Sequence, residues 1–131
     1  MEKPRVLVVE DTDDARDVLA RMLRLGGFNP VTAENGSVAL GELEKRTPDL
    51  VLLDLMMPHM NGVQLLDRMR HDPRWVDLPV VLLTAVSEGR LITEAAELGV
   101  QDIILKGSVN AFDLIERISK NLHTTRPMPH N

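Results

Sequence analysis

Five short apolar runs alternate along this 131-residue chain with five longer segments of helical period, and that alternation constrains the fold more than any other feature. The runs are Arg5–Val9, Phe28–Ala33, Leu50–Leu53, Pro79–Leu83 and Asp102–Leu105. They are nearly unbroken rather than polar on every second residue, as strands are when helices cover both faces of a parallel sheet. The helical segments are Asp13–Leu25, Gly36–Arg46, Asn61–Arg70, Gly89–Leu98 and Asn110–Leu122. The first carries its stripe on Val18, Leu19, Met22, Leu23 and Leu25, and the last on Phe112, Leu114, Ile115, Ile118 and Leu122. Gly26-Gly27 and Gly99 stand where helix ends are expected. The prediction is an α/β doubly wound five-stranded parallel sheet with helices on both faces. Alternation alone admits more than one strand order, of which 2-1-3-4-5 is a common one.

Chemistry enters at the carboxyl end of each strand. Strand 1 runs into Glu10-Asp11, strand 3 into Asp54, strand 4 into Thr84 and strand 5 into Lys106. In an open α/β sheet, ligands bind outside these ends. Taken singly, each of these residues reads as a loop residue, a helix cap or a solvated surface group. Taken together in one βα register, they describe a pocket with three carboxylates, a hydroxyl and a mobile cation. Three crowded carboxylates favour a divalent cation, and all-oxygen ligands suit Mg²⁺, which keeps positions open for phosphate oxygens. Phosphoryl transfer needs chiefly positioning and charge neutralisation, and a carboxylate can accept the group as an acyl phosphate.

Composition excludes several alternatives. There is no Cys, so disulfides, thiol catalysis and thiolate metal sites are out. A net charge of −5 disfavours nucleic acid and anionic membrane as partners. The opening MEKPRVLVVED is too short an apolar run for a signal peptide, and no stretch reaches the ~20 apolar residues of a membrane span. A cytoplasmic location is the expectation by default.

Four segments resemble the receiver domain of two-component response regulators: VLVVEDTDD at 6–14, PDLVLLDLMMPHMNG at 48–62, PVVLLTA at 79–85 and ILK at 104–106. The middle one is the most specific, with Pro58 four and Gly62 eight residues after Asp54. The resemblance implies the flavodoxin-like strand order 2-1-3-4-5 and a receiver domain over 1–123, with 124–131 a flexible tail. It implies that Asp54 is the phosphoacceptor, and that Glu10, Asp11, Asp54 and the backbone carbonyl of Met56 hold Mg²⁺. Thr84 would hydrogen-bond the phosphoryl group, and Lys106 would pair with Asp54 and then with the phosphoryl oxygens. The donor would be a phosphohistidine on a sensor histidine kinase or phosphotransfer protein. The chain ends soon after the fifth helix, so a stand-alone module is expected, a monomer or weak dimer. Its output would be partner binding, by way of the helix 4/strand 5/helix 5 face, or onward phosphotransfer. It would be no enzyme beyond its own phosphorylation and dephosphorylation.

Two positions depart from the pattern. Gly107 stands where the family has proline after the lysine, and Ile103 where it often has an aromatic ring. An isoleucine cannot reproduce the in-out swing that such a ring couples to the threonine. These departures keep one alternative open, a degenerate receiver acting as a phosphorylation-independent interaction module. A haloacid-dehalogenase-like phosphatase would need a second Asp at position 56, which is Met. A flavodoxin-like cofactor binder would need a phosphate loop where EDTDDA has no glycine and four acids. Trp75, in DPRWVD, reads as a surface-packing anchor remote from the site, and His59 as a solvated loop residue. Ile92 and Ala96 are expected to face outward beside Ile103.

Overall fold

The computed structural model describes residues 2–57 and 59–123. Five strands, β1 (Arg5–Val9), β2 (Asn29–Ala33), β3 (Leu50–Leu53), β4 (Val80–Thr84) and β5 (Asp102–Leu105), form one parallel sheet in the order β2-β1-β3-β4-β5. Helices α1 (Asp13–Leu25), α2 (Gly36–Lys45), α3 (Gly62–Arg70), α4 (Gly89–Leu98) and α5 (Ala111–His123) make the crossovers, and one 3₁₀ turn, Val86–Glu88, precedes α4. The sequence placed all five strands and five helices, with ends moved by one residue at Phe28, Arg46, Asn61, Pro79, Leu83, Asn110 and Leu122. Caps explain two of the shifts. Asn61 is the N-cap of α3 in a reciprocal capping box with Gln64, and the Asn110 side chain accepts from the Asp113 amide.

Alternation along each strand sorts the core into two apolar layers. Leu7, Val9, Val51, Leu53, Val80 and Leu82 point to one side of the sheet, where Ala39 and Leu43 of α2, Leu65, Leu66 and Met69 of α3 and Ala95 of α4 cover them. Val6, Val8, Leu50, Leu52, Val81 and Leu83 point to the other side, under Leu19 and Leu23 of α1 and Leu114 and Ile118 of α5. Each fully buried Leu or Val contributes about 1.5–3 kcal/mol of transfer free energy, which holds the strand ends rigidly in register. β2 lies at an edge and is largely unburied, which is why it tolerates Pro30.

Two expectations need correcting. Trp75 is not a surface anchor: it is 3% exposed and belongs to the core layer under α2 and α3, with the Arg74 guanidinium 4.2 Å above its ring. Its charged neighbours in sequence hid this, because the loop folds the ring inward while Arg74 covers it. Ile92 packs against that same core layer instead of facing outward, whereas Ala96 is exposed. Thr12, the N-cap of α1, makes no side-chain cap; its amide instead donates to Glu10 Oε2 at 3.1 Å. Pro58 and the tail from Thr124 to Asn131 lie outside the described residues. No described helix is long and apolar enough to cross a membrane.

Candidate functional site

The strand order makes β1, β3, β4 and β5 consecutive neighbours, so their carboxyl ends share one edge. β1 and β3 are also the strands between which the chain reverses its direction of winding, where such folds open a crevice. Backbone bonds carry the register past the strands: the Glu10 amide donates to Ala33 O, the Asp54 amide to Val9 O and the Lys106 amide to Thr84 O. Among the described residues, Glu10, Asp54 and Thr84 are the buried polar side chains, and Asp11 lies exposed at the rim.

Glu10, Asp11 and Asp54 bring one carboxylate oxygen each to within 4.8 Å of one another. Lys106 Nζ donates to Glu10 Oε1 at 2.9 Å and to Asp54 Oδ2 at 3.3 Å. The Met56 amide donates to Asp54 Oδ1 at 3.2 Å, which pins the segment after β3 beside the cluster. Thr84 Oγ1 is buried with no hydrogen-bond partner among the described residues. A buried orphan hydroxyl is costly unless a ligand meets it. The donor set is entirely oxygen, which fits a hard cation such as Mg²⁺ and excludes thiophilic ions.

The charges are unevenly balanced. Burial, and then the charge of Glu10, push the Asp54 carboxyl up to about 6, against the pull of Lys106 and the Met56 amide. Burial acts on Glu10 too, but the hydrogen bonds from Lys106 and the Thr12 amide outweigh it and hold the carboxyl below its usual range. Burial together with the hydrogen bond and charge of Glu10 raises Asp11. Partial burial tends to lower Lys106, but Glu10 and Asp54 both favour its cation and raise it. A second cation at this edge would relieve Asp54 and Asp11 at once.

Gly62 lets the site close. A Cβ there would sit 2.6 Å from the Asp54 carbonyl oxygen and 2.8 Å from Leu55 Cα, so only glycine lets α3 start against the Asp54 backbone. Gly107 has φ of +81°, which proline cannot adopt, and no described peptide is cis. Lys106 nonetheless reaches both acids, so the departure at 107 leaves its placement intact. Ile103 is half-buried against the α2–α3–α4 layer. His59 is exposed, at φ of +68°. Sequence reasoning missed Arg16, which caps the β1–α1 loop from within α1; a cation in an acidic first turn was its only signal.

A doubly wound sheet with a carboxylate trio, a hydroxyl and an ammonium along its carboxyl edge defines a flavodoxin-like domain able to hold a cation and an anion side by side. The sequence profile described as the response regulator receiver domain matches residues 6–119, and the chain belongs to that family. It is 36% identical over 124 residues to the phosphate regulon transcriptional regulatory protein PhoB of Escherichia coli K12, covering 95% of this chain and 54% of that protein. The chain thus spans about half the length of the curated relatives of this kind that it matches. Among solved structures it resembles the receiver domain of NtrX from Brucella abortus, with TM-score 0.83, 31% identity, and coverage of 92% of this chain and 99% of that one. It also resembles the signal receiver domain of a signal transduction histidine kinase from Syntrophus aciditrophicus, with TM-score 0.83, 29% identity, and coverage of 91% and 89%.

Proposed function

We propose that this receiver domain is a phosphorylation-controlled signalling module in which Asp54 accepts a phosphoryl group from a phosphohistidine of a sensor histidine kinase or phosphotransfer protein. The observation that carries this reading is the convergence of Lys106, the Glu10–Asp11–Asp54 trio and the orphan Thr84 hydroxyl on one edge. An Asp54 carboxylate oxygen forms the new bond to phosphorus as the phosphorus–nitrogen bond of the donor breaks. The departing imidazole keeps the electron pair, and the product is an acyl phosphate. Lys106 shifts from the carboxylates to the phosphoryl oxygens, and the Thr84 hydroxyl donates a hydrogen bond to one of them. Glu10, Asp11, Asp54 and the Met56 carbonyl would hold Mg²⁺, which supplies charge neutralisation for the phosphoryl oxygens. With a carboxyl near 6, Asp54 is mostly ionised at neutral pH and serves as the nucleophile without a separate base.

An apolar groove of about 340 Å³, lined by Val18, Leu19, Met22, Val109 and Leu114, opens beside Glu10 and Lys106 and suits a donor protein's side chains. Output runs through partner binding or onward phosphotransfer, with the α4/β5/α5 face as the surface for it. The chain catalyses only its own phosphorylation and dephosphorylation, and works in the cytoplasm. Incubation with acetyl phosphate and Mg²⁺, followed by intact-mass measurement, tests the reading. Addition of one phosphoryl group, absent from Asp54→Asn, is expected. Failure to add it while Mg²⁺ binds would replace this reading with the phosphorylation-independent one.

A further inference from the structure

Arg16 is an unusual cation. It lies in the first turn of α1, its amide bonded to the Thr12 carbonyl, where the helix dipole disfavours positive charge. Its side chain is only 15% exposed. The ion pair with Asp13 does not account for that shielding, because Asp13 is 81% exposed and such surface pairs contribute little. The other contacts do. Nη1 donates to the Glu10 carbonyl at 2.9 Å and reaches the Asp11 carbonyl at 3.4 Å, while Nη2 pairs with Asp13. One guanidinium thus ties together the backbone of the two consecutive residues that carry two of the three clustered carboxylates.

We infer that Arg16 is a positioning residue for the cation site, a clamp that holds the β1–α1 loop closed so that the Glu10 and Asp11 carboxylates stay beside Asp54. The inference rests on the functional reading above. Three carboxylates within 4.8 Å repel one another, and two of them sit on the loop that follows β1. Glu10 is anchored at its side chain by Lys106 and the Thr12 amide. Asp11 is exposed, with no cation hydrogen-bonded to its side chain among the described residues, and Arg16 Nη1 reaches its backbone carbonyl at 3.4 Å. The planar fork of arginine serves three acceptors at once, which a lysine ammonium on a single stem cannot copy in the same plane.

The test is a Mg²⁺ titration of the full chain followed by amide NMR shifts, which reads cation affinity without phosphorylation. Arg16→Ala is expected to weaken Mg²⁺ binding about tenfold, the loss typical of removing a group that orients a metal ligand. Arg16→Lys is expected to recover only part of it. Arg74→Ala, which breaks ion pairs beside Trp75, is expected to bind Mg²⁺ as the wild type does. A folded Arg16→Ala with wild-type affinity would overturn the inference and leave the functional reading standing. If Arg16→Ala does not fold, wild-type affinity in Arg16→Lys overturns it in the same way. Absence of Mg²⁺ binding in the wild type would instead overturn the functional reading and the clamp with it.

Discussion

Lys106 leans on Glu10 more closely than on Asp54: its ammonium is 2.9 Å from Glu10 Oε1 and 3.3 Å from Asp54 Oδ2. The stronger share of the lysine keeps Glu10 ionised in a buried position. Asp54, also buried, is left facing the charge of Glu10 with weaker compensation, and its carboxyl rises to about 6. The site is therefore under electrostatic tension that an incoming cation relieves.

That tension predicts that removing the Asp54 charge stabilises the fold in the absence of divalent cations. A carboxyl raised in the folded state binds its proton more tightly there than in the unfolded chain. Stability contributed by that proton is full below about 4 and is lost as pH rises through about 6. Asp54→Asn should match the wild type near pH 4 and exceed it by ~1–3 kcal/mol at pH 7.5, since one unit corresponds to ~1.4 kcal/mol. Urea unfolding in a chelator at the two pH values measures the difference, and saturating Mg²⁺ should narrow it.

Gly62 should tolerate no side chain. Gly62→Ala places a methyl 2.6 Å from the Asp54 carbonyl oxygen, and backbone cannot yield as a flexible side chain does. We expect a loss of ~1–3 kcal/mol in chemical denaturation, typical of overpacking, together with slower phosphorylation by acetyl phosphate.

Gly107 gives a contrasting case. A Cβ there meets nothing within 4 Å, so Gly107→Ala carries only the strain of φ at +81°. A loss of ~1 kcal/mol in thermal or urea unfolding is expected, with Lys106 still in reach of Glu10 and Asp54.

Acid sensitivity should also reside in the Asp102–Arg117 pair, which ties β5 to α5. Burial tends to raise Asp102, but the Arg117 hydrogen bond, the Ile103 amide and the Arg117 charge outweigh it and hold the carboxyl low. The stability it contributes is present above the ordinary carboxylate range and lost as pH falls through the depressed value. Arg117→Ala should cost up to ~1 kcal/mol at pH 7, as expected for a partly exposed pair, and little at pH 2. Unfolding midpoints at the two pH values test this.

The fold was legible because the apolar runs are short and nearly unbroken, and because glycines mark the ends of α1 and α4. Asp54, Thr84 and Lys106 were legible for the same reason: strand ends in a parallel sheet fall on one edge. The partner choice of Lys106 was not, since Glu10 and Asp54 lie on adjacent strands and only side-chain geometry ranks them. Arg16 was missed because its contacts to Glu10 and Asp11 are to backbone carbonyls, which leave no pattern in sequence, and its pair with Asp13 reads as an ordinary helix-surface pair. Trp75 was misjudged because charged neighbours at 72, 74 and 77 speak for the surface while the ring itself turns into the core.

Reduction of the phosphorylated chain with borohydride, followed by peptide mapping, tests the central claim most directly. An acyl phosphate at Asp54 converts that residue to homoserine, and the account predicts this change in the peptide bearing Asp54, in wild type treated with acetyl phosphate and Mg²⁺ and not in untreated protein. A phosphoryl group found on any other residue, or no modified peptide at all, would contradict it.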